Sequence, residues 1–215
     1  MVDWLDRWKK GTTGWHRSDI NPQLIENINQ LAEARTRKIF VPLCGASLDM
    51  KYLIDQGFNV VGVELSPLAI DRFFNENQIE YKVSKVEEFD LYQGKNIEIY
   101  CGDFFKLKKD YFYDVSCVYD RAALIALNPD LQKKYVVHLK EILPNSSKIL
   151  LLTMFYPQNE MEGPPFSVGD DNVKELFSEF KEIKKISSVN EKESSLKPDD
   201  LNLTYLFKNV YLIDL

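Results

Sequence analysis

The residue types with the most chemical meaning gather at a few places. The stretch PLCGASLD, starting at Pro42, follows a short apolar run and holds one glycine, Gly45, two positions after Leu43. In a doubly wound sheet this is where nucleotide-like ligands bind, outside the carboxyl ends of the strands. A dinucleotide needs a G-x-G-x-x-G cradle whose bare backbone amides approach the pyrophosphate. One glycine does not build it, so NAD and FAD are disfavoured and a ligand with a ribose but no phosphate is favoured. S-adenosylmethionine is the common ligand of that kind. Glu64 stands 19 residues after Gly45, at the end of a second apolar run, where a carboxylate accepts both ribose hydroxyl protons. The plainer reading of Glu64 is a cap on the helix that follows.

Later strand ends repeat this pattern. Asp103 follows Cys101 and Gly102, and Asp120 with Arg121 follows the run VSCVY; polar residues at strand carboxyl ends are expected to face the same cleft. The plainer reading of Asp120 and Arg121 is a surface ion pair, which contributes little. All three tryptophans, Trp4, Trp8 and Trp15, fall in the first 15 residues. Trp4 and Trp8 are four apart, hence on one face of a helix. They pack that helix on the core, or form a lid whose rings meet a sulfonium cation for roughly 0.5–2 kcal/mol, and the two readings are compatible. His16 is a candidate base beside Trp15, although a lone histidine more often has a structural hydrogen bond. His138 carries no functional reading. The chain has no G-x-S-x-G, H-E-x-x-H or Walker loop. A methyl-transfer enzyme needs none of them, because its leaving group is already activated and the protein has mainly to align acceptor and methyl.

The elements that must hold these residues alternate. A buried strand is expected at Arg37 to Leu43, a helix at Leu48 to Gln56 stopped by Gly57, and a second strand at Asn59 to Glu64. A helix from Pro67 to Asn77 follows, with Ser66 as N-cap and Pro67 in the first helical position. Further strands are expected at Ile97 to Cys101, Val115 to Tyr119 and Ile149 to Phe155, with a helix from Leu131 to Leu143 that ends at Pro144. Residues 81–95 break the rhythm and read as an inserted hairpin or irregular loop. After the Pro/Gly-rich segment 157–169 comes a helix from Asp171 to Phe180, then two terminal strands, 181–189 and 203–213, separated by a polar linker. Joined without a helix, those two strands should pair antiparallel. The whole predicts one α/β domain over 1–215 with a mostly parallel sheet covered on both faces.

Composition narrows the partners. With 45% apolar and 28% charged residues, 215 positions suffice for a full globular core. The 33 acidic residues against 27 basic ones give a net charge of −6, which repels a polyphosphate backbone, so no nucleic-acid partner is expected. No apolar run approaches the roughly 18 residues of a membrane span, and MVDWLDRWKK has no apolar core of the signal-peptide type. A cytoplasmic protein with no membrane partner is expected, most simply a monomer acting on a small-molecule acceptor. Cys44, Cys101 and Cys117 form no C-x-x-C pair, and only two histidines accompany them, so they read as reduced residues and no metal site is expected.

Taken together, WLDRWKKGTTGWH from Trp4, IFVPLCGASLDM from Ile39, VVGVELSPLAI from Val60, VYDRAALIALNP from Val118 and GPPF from Gly163 resemble the thiopurine S-methyltransferases, in order and over nearly the whole chain. The resemblance implies a seven-stranded, class I S-adenosylmethionine-dependent methyltransferase fold with an antiparallel terminal strand and an aromatic N-terminal lid over residues 1–30. It places cofactor contacts at Trp4, Trp8, Trp15, Leu43, Gly45, Glu64, Asp103, Phe104 and Arg121, and acceptor contacts at Trp15, His16, Pro165 and Phe166. Two positions depart from the family's pattern: Ala46 stands for a lysine and Ala122 for a glycine. The expected reaction is methyl transfer from S-adenosylmethionine to a small thiol or thiolate, leaving S-adenosylhomocysteine, with Arg121 and Asp120 as the catalytic pair. Acidic heterocyclic thiols are already anionic near neutral pH, so no strong base is required. A halide, thiocyanate, selenium or tellurium acceptor, or a non-catalytic S-adenosylmethionine-binding module, is the alternative.

Overall fold

The computed structural model describes residues 2–31, 38–191 and 203–215; the polar linker and Arg37 lie outside them. Two short helices come first, α1 (Trp4–Lys10) and α2 (Pro22–Asn27). Asp3 caps α1 by accepting the Asp6 amide at 2.9 Å, and Gly11 ends it in the left-handed conformation that glycine adopts without steric cost. Then β1 (Lys38–Val41), α3 (Leu48–Asp55), β2 (Asn59–Glu64) and α4 (Pro67–Glu76) follow the expected βαβα order. Ser47 and Ser66 cap α3 and α4. The first strand stops at Val41, two residues short of expectation, because Leu43 turns the chain with a φ of 45°.

Residues 81–95 are ordered strands: β3 (Tyr81–Val86) and β4 (Phe89–Gly94), joined by a tight turn with Glu87 left-handed, and then β5 (Ile97–Cys101). The chain continues with β6 (Val115–Arg121), α5 (Pro129–Ile142), β7 (Lys148–Phe155), α6 (Asp170–Leu176), β8 (Glu182–Asn190) and β9 (Phe207–Asp214). Helix α5 begins two residues earlier than expected, because Asn128 accepts the Leu131 amide and Pro129 takes the first position.

The sheet has nine strands in the order β3-β4-β5-β2-β1-β6-β7-β9-β8, which corrects the expected seven. Five central strands, β5, β2, β1, β6 and β7, are parallel, and an antiparallel hairpin extends each edge. The β3–β4 hairpin accounts for the weak patterning of its sequence: β4 buries Phe89 and Leu91, whereas β3 is an edge strand exposed along five of its six residues, with no apolar face to reveal it. The terminal pair β8–β9 is antiparallel as expected. One core cluster, with Phe40, Val61, Val118 and Tyr135, lies on the α5 side of the sheet; the other, with Ile39, Val60, Tyr119 and Trp8, lies under α1 to α4. Strand order reverses about β1, where β2 lies on one side and β6 on the other, and a crevice opens there at the carboxyl ends.

Candidate active site

The carboxyl ends of β1, β2, β5, β6 and β7 open into a cavity of about 750 Å³ that lies partly beneath the N-terminal segment. Of the residues singled out from sequence, Trp4, Trp8, Trp15, His16, Leu43, Gly45, Glu64, Asp103, Phe104, Arg121 and Pro165 all line it. Leu43 and Gly45 are both left-handed, at φ 45° and 54°; for leucine this conformation costs on the order of 1 kcal/mol. Three bonds hold the turn: the Cys44 amide donates to the Val63 carbonyl at 3.0 Å, the Gly45 amide to Glu64 Oε2 at 2.8 Å, and the Ser47 amide to the Cys44 carbonyl at 3.3 Å. A Cβ on Gly45 would sit 3.2 Å from Trp8 Cζ2, so the missing side chain also lets α1 lie on this loop.

Glu64 is 6% exposed. Its other oxygen, Oε1, accepts the Ser66 amide at 2.8 Å. Burial raises its pKa, and the amides of Ser66, Gly45 and Leu65 oppose that rise by stabilising the anion. The carboxylate therefore fastens the Gly45 loop and the start of α4 at once, and these three amides still leave part of its four-lone-pair acceptor capacity open. The capping reading and the ribose reading of Glu64 are thus geometrically compatible. Asp103 accepts the Phe105 amide at 3.0 Å and fixes the turn that carries Phe104, whose ring packs on Tyr135 at 4.8 Å.

Asp120 and Arg121 part company. Successive strand residues point to opposite faces, and Arg121 lines the cavity while Asp120 is fully buried away from it. The Asp120 carboxylate accepts the Tyr135 hydroxyl at 2.7 Å and the Leu124 amide at 3.1 Å. Burial pushes its pKa up to about 6 against those donors. The expectation that Asp120 faces the cleft, and the alternative of a surface pair with Arg121, are both corrected: its position is that of a clamp on the turn after Arg121. That turn passes through Ala122 at φ 62°, a left-handed position where a glycine would be unstrained. Among the described residues, no carboxylate pairs with the Arg121 guanidinium. Phe166 is also corrected. Its ring lies against Gly163, where a Cβ would come 2.9 Å from Phe166 Cδ1, and it does not line the cavity, which Pro164 and Pro165 do.

The tryptophans form an edge-to-face cluster, Trp4 to Trp15 at 5.1 Å and Trp8 to Trp15 at 5.8 Å between centroids. Arg7 lies over Trp4 and Trp15 at 5.4 and 5.8 Å, a contact that sequence reasoning missed although Arg7 follows Trp4 by three residues on one helix face. His16 packs on Trp8, and its Nε2 is 3.6 Å from Glu76. Burial lowers its pKa, Arg72 and Arg121 lower it further, and Glu76 partly offsets them, so it is neutral at pH 7. Also missed was Asp49, which accepts the Asn21 amide at 2.8 Å and the Tyr119 hydroxyl at 2.9 Å and so ties the N-terminal segment to β6. Burial pushes the Cys101 thiol up to about 11 and the Cys44 thiol above its ordinary value. Neither is a thiolate nucleophile at neutral pH. Among the described residues no group of three or more His, Cys, Asp or Glu is placed to hold a metal ion, and no helix is long and apolar enough to cross a membrane.

This arrangement has close counterparts in known proteins. A model of the thiopurine S-methyltransferase family matches residues 1–214. The thiopurine S-methyltransferase of Nitrosospira multiformis is 40% identical over 210 residues, covering 98% of this chain and 96% of its own. That of Marinobacter nauticus is 43% identical over 183 residues, covering 85% and 84%. Among solved structures, an S-adenosylmethionine-dependent methyltransferase from Anabaena variabilis has a TM-score of 0.66 at 12% identity, covering 100% of this chain and 96% of its own. The 1,6-didemethyltoxoflavin-N1-methyltransferase of Burkholderia thailandensis, solved with 1,6-didemethyltoxoflavin and S-adenosylhomocysteine bound, has a TM-score of 0.60 at 14% identity, covering 99% and 86%. With a family match along essentially its full length and relatives at 40% identity, on a sheet shared with S-adenosylmethionine-dependent methyltransferases, the chain belongs to the thiopurine S-methyltransferase family.

Proposed function

We propose that this chain transfers the methyl group of S-adenosylmethionine to the sulfur of a small acidic thiol, with thiopurine-like heterocycles as the acceptor class. The observation that carries the reading is a cavity lined by Glu64, a carboxylate with acceptor capacity left, at the end of β2, and by Arg121, without a carboxylate partner among the described residues, at the end of β6. The residues fit the cofactor: Glu64 would accept from the ribose hydroxyls, and Leu43, Gly45, Asp103, Phe104 and the tryptophans, which line the same cavity, would hold the rest of it. When bound, S-adenosylmethionine supplies a methyl group already activated by the positive charge on its sulfur.

The remaining work falls to the chain. Arg121 holds the acceptor anion by charge and a planar fork of donors, and its cation favours the ionised thiol. Asp120 acts on Arg121 indirectly, by fixing the 120–124 turn. Pro164, Pro165 and Trp15 wall the acceptor side and exclude water, which strengthens the Arg121 attraction. His16, whose ring packs on Trp8, is not required as a base. Read as reduced thiols, Cys44 and Cys101 suit a reducing compartment such as the cytoplasm.

An acceptor screen reading S-adenosylhomocysteine release over thiopurines, aromatic thiols, sulfide, iodide and selenite tests this reading. Heterocyclic and aromatic thiols should lead; turnover confined to iodide or selenite would replace it with the halide or selenium alternative. The lid makes a further prediction. Deleting residues 1–15 should leave a folded sheet while lowering turnover by at least about tenfold, and S-adenosylhomocysteine should change tryptophan fluorescence in the intact chain and slow proteolysis of this segment. Unchanged turnover in the truncated chain would leave the tryptophans with packing alone.

A further inference from the structure

The geometry points to a hydrogen-bonding subsite, built by Arg17 and Gln23, that reads the ring edge of a nitrogen heterocycle bearing the reacting sulfur. Both side chains line the cavity. Each leaves one buried polar atom without a partner: the Arg17 Nε donor and the Gln23 Oε1 acceptor. Arg17 is otherwise engaged, since its Nη2 donates to Asp19 Oδ2 at 2.5 Å. A buried donor or acceptor left unsatisfied costs about 1–3 kcal/mol, and native chains carry few of them. These two are of opposite sense. One ligand offering an acceptor to Nε and a donor to Oε1 would satisfy both.

The place of Gln23 in the fold puts it on the acceptor half of the cavity, which Arg17, six residues earlier in the same N-terminal segment, also lines. The Gln23 amide donates to Asn21 Oδ1 at 2.9 Å, the Asn21 amide donates to Asp49 Oδ1 at 2.8 Å, and Asp49 Oδ2 accepts the Tyr119 hydroxyl at 2.9 Å. This series of bonds fastens residues 21–23 over β6 at Tyr119, two residues before Arg121 and on the same face of the strand. Glu64 is on β2, with β1 between it and β6. The inference rests on the reading of Arg121 as the anchor of the thiolate: with the sulfur there, the ring it belongs to extends toward Arg17 and Gln23. A purine or pyrimidine thiol presents both ring-nitrogen acceptors and a ring N–H along its edge. A halide, sulfide or benzene thiol presents neither, and a site built to hydrogen-bond a ligand discriminates strongly against one that lacks the groups.

The test compares mercaptopurine with nitrothiophenol, an acidic thiol without ring nitrogens, in the wild-type chain and in Arg17→Lys and Gln23→Met. Lysine keeps the charge but has no Nε, and methionine keeps the volume without the amide oxygen. Two readouts are taken, the calorimetric Kd of each thiol for protein saturated with S-adenosylhomocysteine and the KM in turnover. Each variant should raise both values for mercaptopurine by about tenfold, with an effect on nitrothiophenol at least about threefold smaller. Equal effects on the two thiols, no effect on mercaptopurine, or a wild type that does not bind mercaptopurine would overturn the subsite. A wild type that turns over neither thiol, but whose mercaptopurine binding is selectively weakened in the variants, would sink the proposed transfer while supporting the subsite.

Discussion

Replacing Glu64 by alanine is expected to weaken S-adenosylmethionine and S-adenosylhomocysteine binding by about 100-fold, near 2.7 kcal/mol. Two losses combine. The ribose hydroxyls lose a charged acceptor worth about 1.5–3 kcal/mol, and the amides of Gly45 and Ser66, which now donate to the carboxylate at 2.8 Å, are left to find other partners. The strained Leu43–Gly45 turn then keeps only its backbone bonds, from the Cys44 amide to Val63 and from the Ser47 amide to the Cys44 carbonyl. Glu64→Gln keeps the side chain's size and removes its charge, but its NH2 group would face one of the two amides that now donate to the carboxylate, so it should lower the unfolding midpoint as well as bind more weakly. The ionised carboxylate is the form that accepts hydroxyl protons, and burial raises its pKa. Affinity should therefore fall as pH is lowered through that raised pKa, at a higher pH than an exposed glutamate would dictate, and Glu64→Gln should lack this dependence. Calorimetry in which both variants bind like the wild type would remove Glu64 from the cofactor site.

Arg121→Ala should lower kcat/KM for an acidic thiol by about 100- to 1,000-fold, the scale seen when a preorganised charge-stabilising donor is lost. Its guanidinium lines the cavity, has no carboxylate partner among the described residues, and is held in direction by a turn that Asp120 clamps. Lysine should restore only part of the rate, because it offers a point charge without the planar fork. In the wild type the pH profile should rise to a plateau at the pKa of the acceptor thiol, so two thiols of different acidity should show different inflections. His16 supplies the competing outcome. Burial and the cations of Arg72 and Arg121 lower its pKa below 6.5, so if it were the base, both thiols would share one inflection below that value, and His16→Ala would abolish it. Such a shared inflection would overturn the mechanism without a general base.

What the sequence determined by itself is what local physics can write into it. Alternating apolar runs and amphipathic stretches specify the five parallel strands, Ser66 and Pro67 mark the start of α4, and a single glycine after β1 excludes a pyrophosphate cradle. Each of these signals is carried by residues within a few positions of one another. The tertiary structure alone decided what depends on distant partners. Strand alternation requires Asp120 and Arg121 to face opposite ways, but only the packing of α5 and Tyr135 on one face settles which of them enters the cavity. The β3–β4 hairpin was obscure because β3 has solvent along both faces and draws its pairing from β4. Asp49 reads as an ordinary acid in a helix's first turn until Tyr119, 70 positions later, and Asn21 close on it from two sides. A carboxylate's neighbours along the chain set its local propensity; its hydrogen-bond partners, and hence its chemistry, are set by which strands the sheet brings side by side.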